Sequence, residues 1–539
     1  MASKHWSAIM ILLTLSFLIT LLDNNFDQTL PSIVSILPPL IAIASAFILR
    51  QVIVALFLGI WFGAWAIAGR SLESTVIGLL DIPQKYTLTV MTKTENIAII
   101  LITLLISGMV GVISSNGGMV GLLEHIVKWA KNRKRVQLST IFMGLIIFFD
   151  DYSNTLIVGN TMRPITDKVK ISREKLAYLV DSTAAPIASV ALVSLWIGYQ
   201  VGLIETAISN IASLHEPYII FLNSLAYSFY PILTLCFVFF VVLTGKDFGP
   251  MLTAEKRAIT GDIAGRAPKT NNNTTIKRSS ALNALIPILM LIITVILGIL
   301  ITGEGNTIRE ILGSANSITA LLLAGFIASI IAIVMTQVQK LQSLEETIKA
   351  WTDGLSTVTT ALVILVLSWV LAEITKELHT ADYLVSIISD SIYPAIFPAL
   401  IFILAGVISL GTGTSWGTMG ILMPIVIPLS YGLISNEAGN VNPEDMHIIY
   451  SSISCVLAGS VWGDHCSPIS DTTILSSMAS QCNHVDHVRT QMPYALTVGA
   501  VSVIIGTLAT GFGMPWWFVF IFAIAILWFG LNKFGQLSQ

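Results

Sequence analysis

Charge is scarce in this sequence. Asp, Glu, Lys and Arg make up 11% of its 539 residues, against about 25% in soluble domains. So few ionised groups cannot cover a water-facing surface, which excludes an ordinary soluble globular protein. The formal net charge of −3 supplies no basic face, and no nucleic-acid partner is expected. Cysteine is rare as well. Cys236, Cys455, Cys466 and Cys482 lie in or beside apolar runs without a C-x-x-C, which argues against a disulfide framework or a zinc site. His465-Cys466 lacks the spacing of a metal ligand set. The apolar run Trp6 to Leu22 is not followed by a small-x-small cleavage site, so it is expected to stay as a first transmembrane helix. His484, Asp486 and His487 are expected in a solvated loop, with a pH sensor as the alternative.

What stands in place of charge is apolar sequence: 54% of the residues are hydrophobic and the mean hydropathy is +0.82. Spans of about 20 apolar residues recur from end to end, so the fold expected is all-α and polytopic, embedded in a lipid bilayer. Basic residues in short loops mark the cytoplasmic side. Lys4 and Lys533 then place both termini inside. The run Ile36 to Ala68 is too long for one span, and Arg50-Gln51 divides it into two short helices. Arg70 to Glu95 reads as a polar connection outside. The amphipathic stretch Gly121 to Ala130 leads to the basic cluster Lys131 to Arg135.

Between that cluster and the next basic stretch (Lys168, Lys170, Arg173, Lys175) lies one apolar segment, Val136 to Pro164. With both flanks inside, the segment has to enter and leave on one face, as a re-entrant helical hairpin. Its tip carries Asp150-Asp151-Tyr152-Ser153-Asn154-Thr155. Ionisable residues at membrane depth cost about 2.5–3.5 kcal/mol on insertion scales and usually face a cavity or a partner. The hydroxyls and amides behind the two aspartates are hard oxygen ligands suited to a small cation. Further on, Leu176 to Ile204 is interrupted at Asp181-Ser182-Thr183-Ala184-Ala185-Pro186, because proline removes a helical hydrogen bond.

The stretch 245–280 is polar, with seven basic and three acidic residues between Lys246 and Arg278, and its Asn271-Asn272-Asn273-Thr274 tract reads as a flexible cytoplasmic linker. It divides the chain into membrane halves 1–244 and 281–539. The second half repeats the plan of the first. Pro394 to Leu433 is broken at Gly411-Thr412-Gly413-Thr414-Ser415-Trp416-Gly417, giving a second hairpin. His447 to Met478 is interrupted by Asp464-His465-Cys466-Ser467-Pro468-Ile469-Ser470-Asp471-Thr472, giving a second broken helix. Two further spans, Tyr494 to Thr510 and Trp516 to Leu531, complete the chain. Ser107 corresponds to Ser368, Met162-Arg163-Pro164-Ile165 to Leu422-Met423-Pro424-Ile425, and Ala185-Pro186-Ile187 to Ser467-Pro468-Ile469. Orientations derived from charge are opposite at each paired step. The architecture expected is therefore an inverted-topology repeat of about 12 transmembrane helices, two re-entrant hairpins and two broken helices. Proteins built this way bind cargo near the bilayer midplane, where discontinuous helices meet.

At Asp150-Asp151-Tyr152-Ser153-Asn154-Thr155, Gly413-Thr414-Ser415-Trp416-Gly417-Thr418 and Cys466-Ser467-Pro468-Ile469-Ser470-Asp471-Thr472 the sequence resembles the NhaC-type sodium/proton antiporter family, part of the ion-transporter superfamily. The resemblance implies a multi-pass protein of the bacterial cytoplasmic (inner) membrane, a homodimer in similar proteins, and sodium binding at Ser153-Asn154-Thr155. Gly413-Thr414-Ser415 departs from that tripeptide. The family also contains exchangers of malate and lactate.

The expected function is secondary antiport of sodium against protons, with no cofactor beyond the transported Na+ and H+ and no enzymatic activity. An exchanger of small organic anions coupled to either ion is the alternative. Candidate carboxylates are Asp150, Asp151, Asp181, Asp464 and Asp471. Candidate neutral oxygens are Ser153, Asn154, Thr155, Thr183, Thr414, Ser415, Ser467 and Thr472, of which about half are expected to contact the ion. Arg163 is read as an interfacial anchor or charge partner rather than a clamp for substrate.

Overall fold

The computed structural model describes residues 2–22, 32–49, 51–119, 121, 132–192, 194–209, 211, 214, 216–266, 280–304, 316–388, 392–436, 441–468 and 470–538. These are almost wholly helical, with one small antiparallel pair between Lys246–Asp247 and Gln536–Leu537. Among the described residues nine helices are long and apolar enough to cross a membrane, or up to eleven when two bent pairs each count as one span. The expectation was about twelve. Part of the gap is the helix pair Leu37–Leu49 and Val52–Ile67, which divides where Arg50-Gln51 was expected to divide it. Their 13 and 16 residues are short for a span.

The first hairpin is the helix Arg133–Ile146, a tight turn, and the helix Asp151–Lys168. The second joins Phe397–Thr412 to Ser415–Ile434. Its turn needs a left-handed residue, supplied by Gly413 at φ 70°, and Thr414 caps the next helix by accepting from the Gly417 N–H. Discontinuity also falls as expected after Asp181 and after Cys466. The helix Met446–Cys466 stops and the chain resumes as Asp471–Ala479. In the first half, Arg173–Asp181 gives way to the short helix Ala185–Val190 and then to Leu195–Ile208. The sharper bend, 46°, lies at this second interruption, beyond Pro186. There the Leu195 N–H donates to the Phe149 carbonyl at 2.8 Å, so the hairpin tip serves a helix start that its own chain leaves unsatisfied.

Four expectations change. Arg70 to Glu95 is not a polar connection: Leu72–Asp81 is a helix that continues through Met91, with Gly78 against the backbone of Ala64 and Trp65. Pro217–Ser224 and Phe229–Thr244 form a further bent pair, at 49°, with Pro231 in the first turn of the second helix, where its ring crowds the Tyr227 carbonyl four residues back. The span expected from Tyr494 begins ten positions earlier, since His484–Val501 is one helix. That removes the solvated loop: Asp486 and His487 are buried. Finally, the stretch expected as linker begins with a packed helix, Gly249–Ile259. Glu255 pairs with Arg133, and Asp247 with the fully buried Lys175, with Tyr494 donating to the same carboxylate. A buried ion pair is tolerable only with such additional hydrogen bonds. The Asn271-Asn272-Asn273-Thr274 tract and most of Gly121 to Ala130 lie outside the described residues.

The helices Phe397–Thr412 and Met446–Cys466 touch along a seam of Gly406, Gly459 and Gly463. A Cβ at Gly463 would lie 2.2 Å from the Gly406 carbonyl oxygen, and one at Gly459 2.5 Å from that of Phe402. Small residues let membrane helices approach this closely. Gly463→Val is therefore expected to cost about 1–3 kcal/mol through overpacking, read as a lower melting midpoint of the detergent-purified protein. A midpoint equal to wild type would show that the seam opens freely.

Candidate functional site

The two hairpin turns and the second broken helix meet at one cavity of about 140 Å³, lined by Asp150, Asp151, Tyr152, Leu195, Thr357, Val358, Thr360, Ile364, Thr414, Trp416 and Asp471. Three carboxylates thus face one small space, and among the described residues its lining contains no Lys, Arg or His. Asp150 and Asp151 are each 3% exposed. Asp150 caps the helix that follows it, its Oδ1 accepting from the Tyr152 N–H at 3.2 Å. Asp151 begins that helix and Asp471 begins the helix Asp471–Ala479, where amide groups without helical partners favour negative charge. Asp471 is the exposed member. The second hairpin closes the other wall through Thr414 and Trp416, whose carbonyl accepts from Tyr199 Oη.

Asn154 fastens this arrangement. Its Nδ2 lies 2.8 Å from the Gly144 carbonyl, 3.2 Å from that of Ile147 and 2.8 Å from that of Thr183. One side chain therefore ties both arms of the first hairpin to the interrupted helix behind it. Among the described residues its fully buried Oδ1 has no donor, which in native interiors calls for an explanation such as water or an ion.

A second polar centre lies deeper. Asp181 is fully buried and accepts from Thr473 and Ser476 hydroxyls at 3.2 Å each and from Gln491 Nε2 at 2.6 Å. Asp464 accepts from Thr472 Oγ1 at 2.7 Å, and Thr472 also meets Ser470 Oγ. His465 joins the two halves, with Nε2 donating to the Asp181 carbonyl at 3.1 Å and Nδ1 accepting from Tyr230 Oη at 3.0 Å.

Of the residues expected from sequence, the structure brings Asp150, Asp151, Thr414 and Asp471 to the cavity. Ser415 is buried at the start of its helix without lining the cavity. Asp181, Asp464 and Thr472 belong to the deeper centre. Three hydroxyls donate to backbone carbonyls: Thr155 to Asp151, Thr183 to Leu179 and Ser467 to Leu410. The Ser153 side chain lies outside the described residues. Arg163 is remote from the cavity lining and donates to the Ala479 carbonyl and Asn160. His487 and Gln491 complete the deeper centre; His487 was expected in a solvated loop or as part of a pH sensor, and Gln491 was missed, its only trace in sequence being a polar start to an apolar run. Among the described residues no group of three or more His, Cys, Asp or Glu is placed to hold a metal ion as a set, so any cation would rely on hydroxyl, carbonyl and water oxygens besides the carboxylates.

Hairpins whose tips meet interrupted helices at an acidic cavity define a class, the secondary transporters. The solved structure of the YdaH transporter of Alcanivorax borkumensis shares this fold with a TM-score of 0.57 at 14% identity, over 89% of this chain and 99% of that one. The sequence pattern of the Na+/H+ antiporter family matches residues 187–512. An uncharacterized protein of Haemophilus influenzae is 33% identical over 490 residues, 89% of this chain and 91% of its own length. The malate-2H(+)/Na(+)-lactate antiporter of Bacillus subtilis is 30% identical over 121 residues, 22% of this chain and 23% of its own. The chain belongs to the Na+/H+ antiporter family, as a multi-pass membrane protein.

Proposed function

We propose that the protein exchanges sodium for protons across the membrane in which it sits, at the cavity between the two hairpin turns. The observation that carries this reading is the lining itself: three carboxylates and, among the described residues, no basic side chain. Such a field attracts a cation and repels an anion. The cavity has room for a small cation with a few waters, and Asp150, Asp151, Asp471 and Thr414 supply its oxygens. Asp181 is not a ligand in this scheme, because Thr473, Ser476 and Gln491 already occupy its carboxylate. A proton can replace the cation on the cavity carboxylates, and a site loaded with either crosses the membrane at less electrostatic cost than an empty one. The basic loops mark the cytoplasmic face, and a proton gradient directed inward would drive sodium out across it.

An exchanger of small organic anions is the second reading, favoured by the Bacillus subtilis relative. It needs a cation for the substrate carboxylate, and Arg163, the nearest arginine to the motifs, is engaged elsewhere. Both readings meet the same assay. In inverted vesicles holding a proton gradient, addition of sodium is expected to dissipate the gradient, whereas malate or lactate leaves it intact. Dissipation by the organic acids without sodium would overturn the cation reading.

A further inference from the structure

The helix His484–Val501 carries the buried His487 and Gln491 beside Asp181 and the half-buried His484 one turn nearer its start, none of them used by the cation cavity. His484 Nε2 lies 2.6 Å from the Pro468 carbonyl and its Nδ1 3.0 Å from Ser477 Oγ. On the other side of that hydroxyl, His487 Nδ1 lies 2.9 Å away, and His487 Nε2 lies 3.0 Å from Gln491 Oε1. The orientation of Gln491 follows from its other end, which faces two acceptors, the Asp181 carboxylate and the His465 carbonyl at 3.0 Å. That end is the NH2, so the end facing His487 is an acceptor.

Counting protons in this row gives a definite result. A carbonyl oxygen only accepts, so His484 carries its proton on Nε2, towards Pro468. By the same rule His487 carries its proton on Nε2, towards the Gln491 oxygen. If both rings are neutral, both Nδ1 atoms are bare acceptors, and both point at Ser477. The hydroxyl has one proton and can serve only one of them. The Thr473 carbonyl, 2.8 Å from the same oxygen, is an additional claimant. One imidazole nitrogen is then left facing an oxygen lone pair inside the protein, a loss of about 1–3 kcal/mol. One added proton resolves the conflict: an imidazolium donates through Nδ1 to Ser477, and Ser477 donates to the other ring. His465 shows the contrast, since its carbonyl and tyrosine partners suit one neutral tautomer.

We infer that His484, Ser477 and His487 form a proton-binding site that holds one proton more than two neutral imidazoles, between the half-buried His484 and the buried Asp181. The Ser477 hydroxyl passes the proton by accepting one from one ring and releasing its own to the other, so charge moves while the count is conserved. Burial works against an imidazolium at His487, and two features answer it. Asp181 Oδ2 stands 3.9 Å from His487 Nε2 as counter-charge, and the proton can reside on His484 nearer the surface. Of the other charged groups on the surrounding elements, Arg489 of the same helix is exposed, and those that face inward are engaged. On the same helix Asp486 pairs with Arg266; on the neighbours Glu174 pairs with Arg257, Glu255 with Arg133 and Lys175 with Asp247. Arg173 donates to the Gln481 carbonyl, Asp464 accepts from Thr472, and Asp471 turns to the cavity. The site thus offers protons a route separate from the sodium cavity, in deepening of the antiport reading on which this role rests.

The test uses the full chain in liposomes with 15N-labelled histidine, followed by solid-state NMR between about pH 6 and 8.5, the range in which histidine titrates. An imidazolium signal persisting at about pH 8 is expected, and it is lost in His484→Gln and equally in His487→Gln. That mutual dependence is the signature of the shared proton: with one ring removed, Ser477 satisfies the other and no added proton is called for. Ser477→Ala, which keeps both rings, is expected to change the signal as well. A wild type with all eight histidines neutral at about pH 8, or a His484 signal indifferent to His487→Gln, overturns the inference. In parallel, His484→Gln and Ser477→Ala are expected to move the pH of half-maximal exchange by about one unit, and profiles unchanged in both would remove the transport role. Absence of sodium exchange in the wild type would refute the proposed function alone, since the spectroscopic result does not depend on cargo.

Discussion

Asp151→Asn is expected to lower sodium-driven proton exchange at least about tenfold and up to about 150-fold, while the protein inserts, folds and is purified in normal yield. The range follows from losing a charged ligand whose hydrogen bonds or coordination are each worth about 1.5–3 kcal/mol, at about 1.36 kcal/mol per tenfold. Asparagine keeps the volume and one oxygen, so the turn between Arg133–Ile146 and Asp151–Lys168 has no steric reason to rearrange. What it lacks is the negative charge for the cation and the capacity to take a proton in the return step. Both half-cycles therefore suffer, and no sodium concentration restores the maximal rate. Asp471→Asn is expected to behave differently. Its carboxylate is the exposed one of the three, screened by water, so its removal should mainly raise the sodium concentration for half-maximal exchange. Reconstituted exchange by Asp151→Asn at the wild-type rate, with normal expression, would show that the cavity is not the transport site.

The same residues show what the sequence made legible. Asp150 and Asp151 were conspicuous because a pair of carboxylates in an apolar segment has few ways to be satisfied, and the structure gives one of them, a turn opening on a cavity. Arg50-Gln51 and the Asp464 to Thr472 stretch were legible for the same reason: a polar interruption in lipid must be a turn, a break or a site. Hydroxyls were not legible in this way. Thr183, Thr155 and Ser467 donate to backbone carbonyls, and in sequence a serine or threonine that satisfies its own helix is indistinguishable from one that lines a cavity. The opposite error occurred at His487 and along Leu72–Asp81. Polar residues there suggested a solvated connection, because hydropathy does not register a partner supplied by a distant segment. For His487 those partners are Ser477 and Gln491. For Leu72–Asp81 the partner is the face of Val52–Ile67, against which Gly78 packs. The bend before Phe229 does have a mark in sequence, Pro231, which crowds the Tyr227 carbonyl, but no charged residue stands beside it to draw attention to the break.

Apparent sodium affinity is expected to weaken as the medium is acidified, by up to about tenfold per pH unit for each proton that competes, while the maximal rate changes less. The sign follows from the cavity. Sodium requires ionised carboxylates, and lowering the pH raises the share of sites that hold a proton instead. Each proton must then be displaced before the cation is bound, so half-saturation moves to higher sodium while a saturating concentration still fills the site. Asp150 and Asp151 adjoin, so their protons come off as those of a pair rather than of two independent groups. Removing one carboxylate is accordingly expected to flatten the dependence, and Asp151→Asn should lose more of the slope than Asp471→Asn, whose side chain is the more exposed. The measurement is the sodium concentration giving half-maximal exchange at several pH values, in wild type and both variants. A half-saturation value constant over about two pH units on the acid side of that titration would sink competition at a shared site. In that event the proton would have to travel by a route of its own, for which the row proposed above, from His484 through Ser477 to His487 beside Asp181, is the first to test. The two variants at Asp151 and His484 would then separate cleanly, one abolishing sodium dependence and the other moving the pH profile.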